Sequence, residues 1–122
     1  MKKTILIVDD SSSVRTVVKT ALSGAGYNVI EASDGKDALG KLDGTKIHLI
    51  VSDVNMPNMD GISFVKEVKK NPSYKFTPVC MLTTEAEKSK IEEGKSAGAK
   101  AWMVKPFQPP KLLDVVSKLI LP

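Results

Sequence analysis

Read for its hydrophobic and polar positions, the chain alternates between two kinds of apolar segment. The first is short and unbroken: Ile5-Leu6-Ile7-Val8, then Leu49-Ile50-Val51 with Ile47 just ahead, then Val79-Cys80-Met81-Leu82. Runs of this kind fit strands buried on both faces, as in a parallel sheet covered by helices. Tyr27–Ala32 and Ala99–Val104 read as further strands, the former less apolar and nearer a sheet edge. The second kind recurs every three or four residues, the period of a helix with one packed side. Val14, Val17, Val18, Ala21 and Leu22 make one such stripe, and Ala38, Leu39 and Leu42 another. Ile62, Phe64, Val65 and Val68 make a third. Leu112, Leu113, Val116, Leu119 and Ile120 make a broad last one.

Punctuation between the stripes agrees with them. Ser11-Ser12-Ser13 offers N-caps for the first helix, and Gly24 and Gly26 stop it. Ser33-Asp34-Gly35 turns the chain into the second helix, which Asp43-Gly44 ends. Asp60-Gly61 opens the third and Asn71-Pro72 closes it; Pro109-Pro110 opens the last. The stretch Glu85–Ala97 is the weakest helix. It has only Ala86 and Ile91 for the core and contains Gly94, so it is expected to be the least firmly held element. Five strand–helix alternations predict an α/β fold, a doubly wound parallel sheet with helices on both faces. Right-handed crossovers then bring the C-terminal tips of the strands to one edge, where open sheets of this type bind ligands.

A length of 122 residues suits one domain with one real core. Eighteen basic against fourteen acidic residues give a net charge of +4. The lysines are scattered and not interleaved with aromatics, so the excess does not indicate nucleic-acid binding. The single cysteine, Cys80, rules out an intramolecular disulfide and sits in an apolar run as a buried thiol. No apolar stretch is long enough to span a bilayer, and Met1-Lys2-Lys3 leads straight into the first strand without a signal-peptide core. The expectation is a cytoplasmic protein. The last stripe runs to the C-terminal end, so the expected organisation is one domain over residues 1–122.

Candidate chemistry lies at the strand ends. The first strand closes in Asp9-Asp10, the third in Asp53 before a turn to Met56-Pro57, the fourth in Thr83 and the fifth in Lys105. One aspartate closing a strand is commonly a turn former or helix cap. Four strands of five ending in reactive groups on a shared edge is harder to assign to turns. Three carboxylates held together repel unless a cation neutralises them. Oxygen donors with no His or Cys beside them suit a hard ion such as Mg²⁺. A hydroxyl and an ammonium at neighbouring tips suit an anion with several oxygens, such as a phosphoryl group. His48 stands alone and reads as structural; Asp60 and Thr84 read as turn and capping residues.

The segments Ile-Leu-Ile-Val-Asp-Asp-Ser, Asp53-Val-Asn-Met-Pro-Asn-Met-Asp-Gly, Leu82-Thr83-Thr84-Glu85 and Val104-Lys105-Pro106-Phe107 resemble the response-regulator receiver domain, in order and spacing over the whole chain. Within that family the chain is most similar to the stand-alone CheY-like chemotaxis regulators. The features are Asp-Asp-Ser-Ser-Ser-Val-Arg after the first strand, Gly98-Ala99-Lys100-Ala101-Trp102 before the lysine, and the lack of an output domain. The resemblance implies a single flavodoxin-like sheet of order 2-1-3-4-5 and a cis Lys105–Pro106 bond. It implies Asp53 as phosphoacceptor, receiving a phosphoryl group from a CheA-like histidine kinase. Asp10, Asp53 and the Asn55 backbone carbonyl would hold Mg²⁺ directly and Asp9 mainly through water. Thr83 and Lys105 would meet the phosphoryl oxygens, Thr83 and Trp102 would form the switch, and Asn55 with Glu85 would set the rate of dephosphorylation. Trp102 departs from the Tyr or Phe of many relatives. The implied partners are the kinase and the flagellar motor switch protein, with a phosphatase as a further candidate and no nucleic acid or membrane, the chain acting as a monomer. The fourth helix is short of core residues and the fifth has more apolar ones than a packed stripe needs, so with the fifth strand they are expected to form the output face, with Lys88, Val115, Lys118 and Leu119 as its candidates.

Three other readings stay open at this point. A Mg²⁺-dependent phosphatase would place its nucleophile in an Asp-x-Asp-x-Thr pattern after the first strand and would need a cap; here that strand offers Asp-Asp-Ser. An FMN binder would need a phosphate-cradling loop where Asp9-Asp10 stand. A receiver serving as phosphorelay intermediate or phosphate sink shares the same residues.

Overall fold

The computed structural model describes residues 2–84 and 89–120. Strands β1 (Thr4–Val8), β2 (Asn28–Ala32), β3 (Leu49–Asp53), β4 (Val79–Thr83) and β5 (Ala101–Val104) alternate with helices α1 (Ser12–Gly24), α2 (Gly35–Lys41), α3 (Gly61–Lys70), α4 (Ile91–Ala97) and α5 (Pro109–Leu119). All strands are parallel, in the order β2-β1-β3-β4-β5. The order expected from the family resemblance is the order found.

Alternation along each strand explains the unbroken apolar runs, because successive side chains enter opposite layers. Leu6, Val8, Ile50 and Met81 join Phe64, Val65 and Val68 of α3 and Ala38 of α2 in one core layer. Ile5, Ile7, Leu49, Val51 and Leu82 join Val18 and Leu22 of α1 and Leu112 and Val116 of α5 in the other. Cys80 is buried in this second layer, which pushes its thiol up to about 12 and leaves it inert.

Local signals set most boundaries. The Ser11 hydroxyl caps α1 by accepting from the Val14 N–H, and Asp34 and Asp60 cap α2 and α3 from the Asp37 and Ser63 N–H groups. Pro109 and Pro110 lead α5 without a side-chain cap. Two strands start later than the apolar pattern suggested. Tyr27 donates its N–H to the Leu22 carbonyl and so finishes α1, leaving β2 to begin at Asn28. Gly98, at φ 118°, ends α4 with a left-handed turn, and Ala99 donates back to Gly94, so β5 begins only at Ala101. His48 is structural as expected: its Nδ1 accepts the Thr4 N–H at 3.0 Å. Among the described residues, no helix is long and apolar enough to cross a membrane.

Gly61 bears on the site directly. A Cβ there would run into the Asp53 carbonyl and the Met81 methyl group, so only glycine lets the start of α3 press against the end of β3. The Gly61 N–H donates to the Val54 carbonyl at 2.8 Å, fixing the turn that follows Asp53.

Candidate functional site

Parallel order and right-handed crossovers place the tips of β1, β3, β4 and β5 along one edge, and the residues singled out there meet. One carboxylate oxygen each from Asp9, Asp10 and Asp53 lies within 4.8 Å of the others. Asp9 is fully buried, Asp53 nearly so, and Asp10 is exposed. Lys105, from the tip of β5, donates to Asp9 Oδ2 at 3.0 Å and pairs with Asp53 Oδ2 at 3.2 Å.

The remaining lone pairs are held too. Asp9 Oδ1 accepts the Ser11 N–H at 2.9 Å, and Asp53 Oδ1 accepts the Val54 N–H at 2.9 Å. Arg15 donates to the Asp9 carbonyl at 2.6 Å while its Nε pairs with Glu31 of β2 at 3.5 Å. Sequence reasoning missed Arg15. It lies six residues from Asp9 on α1, and nothing in its spacing marks it as a brace for the β1 tip.

Electrostatics follow from this packing. Burial raises the Asp53 carboxyl to about 6, Asp9 adds repulsion, and Lys105 with the Val54 N–H offsets part of both. Burial opposes the charge on Lys105, but its hydrogen bond to Asp9 and the charges of Asp53 and Asp9 outweigh that, so its pKa lies above the ordinary lysine value. Three carboxylates against one ammonium leave the edge anionic. Oxygen donors alone, in excess negative charge, fit a hard divalent cation such as Mg²⁺.

Around this centre stand the other expected residues. Thr83 ends β4 beside Asp53, one step beyond the Asp53–Leu82 pairing, and donates from Oγ1 to the Met103 carbonyl at 3.4 Å. Asn55 lies in the exposed turn after β3, and its amide oxygen accepts from Lys90 at 3.3 Å, a contact the sequence did not announce. Asn58, at φ 67°, donates to Asp34 at 2.7 Å and ties the same turn to the start of α2. The Lys105–Pro106 bond is cis, as the resemblance implied. Trp102 on β5 is half-buried with Lys95 over its ring at 5.0 Å. Thr83 and Trp102 line a common cavity of about 10 Å³ with Val54, Ile62, Met81 and Gly94. Glu85 and Lys88 lie outside the described residues.

Comparison with known proteins bears on the same edge. The family profile described as the response regulator receiver domain matches residues 5–117. The chain is 41% identical over 114 residues to the chemotaxis protein CheY1 of Helicobacter pylori, covering 90% of each. Its structure is similar to that of the Vibrio cholerae chemotaxis protein CheY4, with a TM-score of 0.93 and 47% identity over 98% of this chain and 100% of that one. A receiver domain of a sensor histidine kinase from Pseudomonas aeruginosa, whose structure holds a magnesium ion in its active site cleft, matches with a TM-score of 0.89 and 26% identity over 98% of each chain.

Proposed function

The chain belongs to the response regulator receiver family, and on that premise we propose that Asp53 is its sole phosphoacceptor, loaded by a CheA-like histidine kinase. Phosphorylation-dependent signalling is the role of such a domain, which acts as a signalling phosphoacceptor. The observation that carries the residue assignment is the Lys105 bridge between Asp9 and Asp53, with Asp10 alongside, at the C-terminal edge of a central strand.

In this reading an Asp53 carboxylate oxygen attacks phosphorus, the new O–P bond forms as the N–P bond of phosphohistidine breaks, and the electron pair leaves on the imidazole nitrogen. Asp10, Asp53 and the Asn55 carbonyl would hold Mg²⁺, with Asp9 acting mainly through water; bound there it supplies positive charge against the phosphoryl oxygens. Lys105 stands where it meets another of those oxygens, and burial makes its charge count. Asp9, locked by Lys105 and the Ser11 N–H, keeps the opposite wall fixed. Incubation with acetyl phosphate and Mg²⁺ followed by intact-mass measurement tests the assignment. Asp53→Ala should gain no phosphoryl mass and Asp10→Ala very little; an equal gain in Asp53→Ala overturns it.

The output follows from Thr83 and Trp102. A phosphoryl group on Asp53 draws the Thr83 hydroxyl from the Met103 carbonyl, and the indole of Trp102 then favours an inward position. The cavity of about 10 Å³ that they share has no room for an indole, so Trp102 can turn in only if Thr83 and α4 shift together. The face of α4, β5 and α5 would then present itself to the flagellar motor switch protein in a cytoplasmic, monomeric regulator of chemotaxis. Capture of the beryllofluoride-activated protein on the motor switch protein tests this. Capture by a phosphotransfer protein alone would instead mark a relay intermediate or phosphate sink.

A further inference from the structure

At the opposite end of the sheet, where the strands begin, the structure holds a second feature that the phosphoacceptor chemistry does not use. An open cleft of about 450 Å³ lies between the residues ahead of β3, the α3–β4 connection, the start of β5 and the end of α5. It joins a smaller depression of about 100 Å³, sharing Lys46, Ile47, Ser73 and Thr77 with it. Together they form one open trough across which a peptide chain can lie. Its floor is apolar, from Ile47, Pro78, Leu119 and Ile120. Phe76 stands at its side with 86% of its surface exposed, and the Lys75 ammonium lies over the ring at 5.1 Å. A large ring exposed to this degree is a poor use of apolar surface unless something covers it.

The charged groups are of one sign. Lys46, Lys100 and Lys118 line the cleft, and none of the residues lining either part is acidic. Lys118 is accounted for, since it ends α5 and pairs with Asp114 at 3.1 Å. Lys46 and Lys100 are not. They sit in connections, cap no helix, and make no side-chain hydrogen bond or ion pair among the described residues. Their electrostatic neighbours are cationic or basic. Lys46 adds to the burial and the Lys3 charge that lower the His48 pKa, and Lys100 adds to the burial that lowers the Lys69 pKa. His48 contributes a further donor: Nδ1 accepts from Thr4, which leaves the proton of the neutral ring on Nε2. A trough with an apolar floor, ammonium and imidazole donors on its rim and no carboxylate complements a chain of carboxylates around an apolar residue.

We propose that this trough is a docking site for an extended acidic peptide segment of a partner protein, its apolar side chain seated against Phe76 and Leu119 and its carboxylates meeting Lys46 and Lys100. The site lies a strand length, about 15 Å, from the phosphoacceptor edge. It can therefore be occupied while that edge is engaged, and its affinity does not depend on phosphorylation, although it shares Lys118 and Leu119 at the end of α5 with the expected output face. A tether held there would raise the effective concentration of a partner's second domain at the active edge.

The test uses the full chain, unphosphorylated, and a fluorescein-labelled peptide of Asp and Glu residues around a central Leu-Trp pair. Fluorescence anisotropy should show saturable binding that weakens with added salt. Lys46→Glu with Lys100→Glu should reduce affinity about tenfold or more, and Phe76→Ala severalfold. All three positions are exposed, so acetyl phosphate labelling should be unchanged in these variants, which serves as the folding control. Amide shifts on titration should map to residues 46–48, 73–78 and 118–120. Absence of binding, equal binding of a lysine-for-acid peptide, unchanged affinity in the double variant, or shifts confined to α4 and β5 would each overturn the proposal.

Discussion

Replacing Asp53 by Asn should stabilise the cation-free protein, and by an amount that depends on pH. The carboxyl has an ordinary value near 3.8 and stands at about 6 in the folded chain, because burial and Asp9 disfavour its charge more than Lys105 favours it. A group raised in this way binds its proton more tightly folded than unfolded. Its contribution is therefore intact below 3.8, is lost as pH rises, and is gone above 6. A shift of about two units corresponds to about 3 kcal/mol, of which between about 2 and 3 falls between pH 4 and pH 7. Asn cannot ionise, so its own offset is constant across that range. It keeps an oxygen for the Val54 N–H, and Lys105 keeps Asp9. Urea unfolding of both proteins in EDTA, followed by far-UV circular dichroism, should show the advantage of Asp53→Asn growing by about 2–3 kcal/mol from pH 4 to pH 7. Mg²⁺ at ten times its dissociation constant should return about 1.4 kcal/mol to the wild type and nothing to the variant. A difference that stays flat with pH, or a variant less stable than wild type at pH 7 in EDTA, would refute the account of the edge as electrostatically strained.

Other expectations rest on separate features. Gly61→Ala should cost about 2–3 kcal/mol or more, read from the urea midpoint, because the new methyl group collides with the Asp53 carbonyl. Ser11→Ala should cost about 1 kcal/mol through loss of the α1 cap, measured the same way. Trp102 is the only tryptophan, so its emission should change on adding Mg²⁺ and beryllofluoride; Thr83→Ala should bind the mimic with little change in emission. Asn55→Lys should slow the decay of phosphorylated protein in a mass-spectrometric time course, following the resemblance that assigns Asn55 to setting the rate of dephosphorylation.

Much of this was legible in the chain because the strands are buried on both faces. A continuous run such as Leu49-Ile50-Val51 tolerates a carboxylate only where it leaves the core, so Asp53 could be placed at a tip before any geometry was known. Strand beginnings were less legible, since Tyr27 and Ala99 spend their N–H groups closing the preceding helices, a choice invisible to hydrophobicity. Within the site, the sequence marked which residues meet but not how they satisfy one another. Lys105 was expected as a partner for phosphoryl oxygens, and in the structure it also bridges two carboxylates of its own chain. Lys90 on Asn55 and Arg15 on the Asp9 carbonyl carried no signal at all, being long side chains whose reach depends on where the helices pack. The trough was equally hidden, because three connections and the end of α5, with no shared pattern, build it.

The lysine bridge has a consequence for chains that are still being made. Lys105 and Asp9 are 96 residues apart, and between them lie four crossovers that must close before the two can touch. A nascent chain with its first four strands out of the ribosome already carries all three acidic groups and the hydroxyl, yet lacks the ammonium that pairs with Asp9 and Asp53. The same is true of a chain clipped after β4. Such fragments hold a repelling cluster that disfavours its own assembly, and they lack the ammonium proposed to meet a phosphoryl oxygen. The last strand to arrive therefore completes the charge pairing that the acidic groups of the edge leave unmet until then.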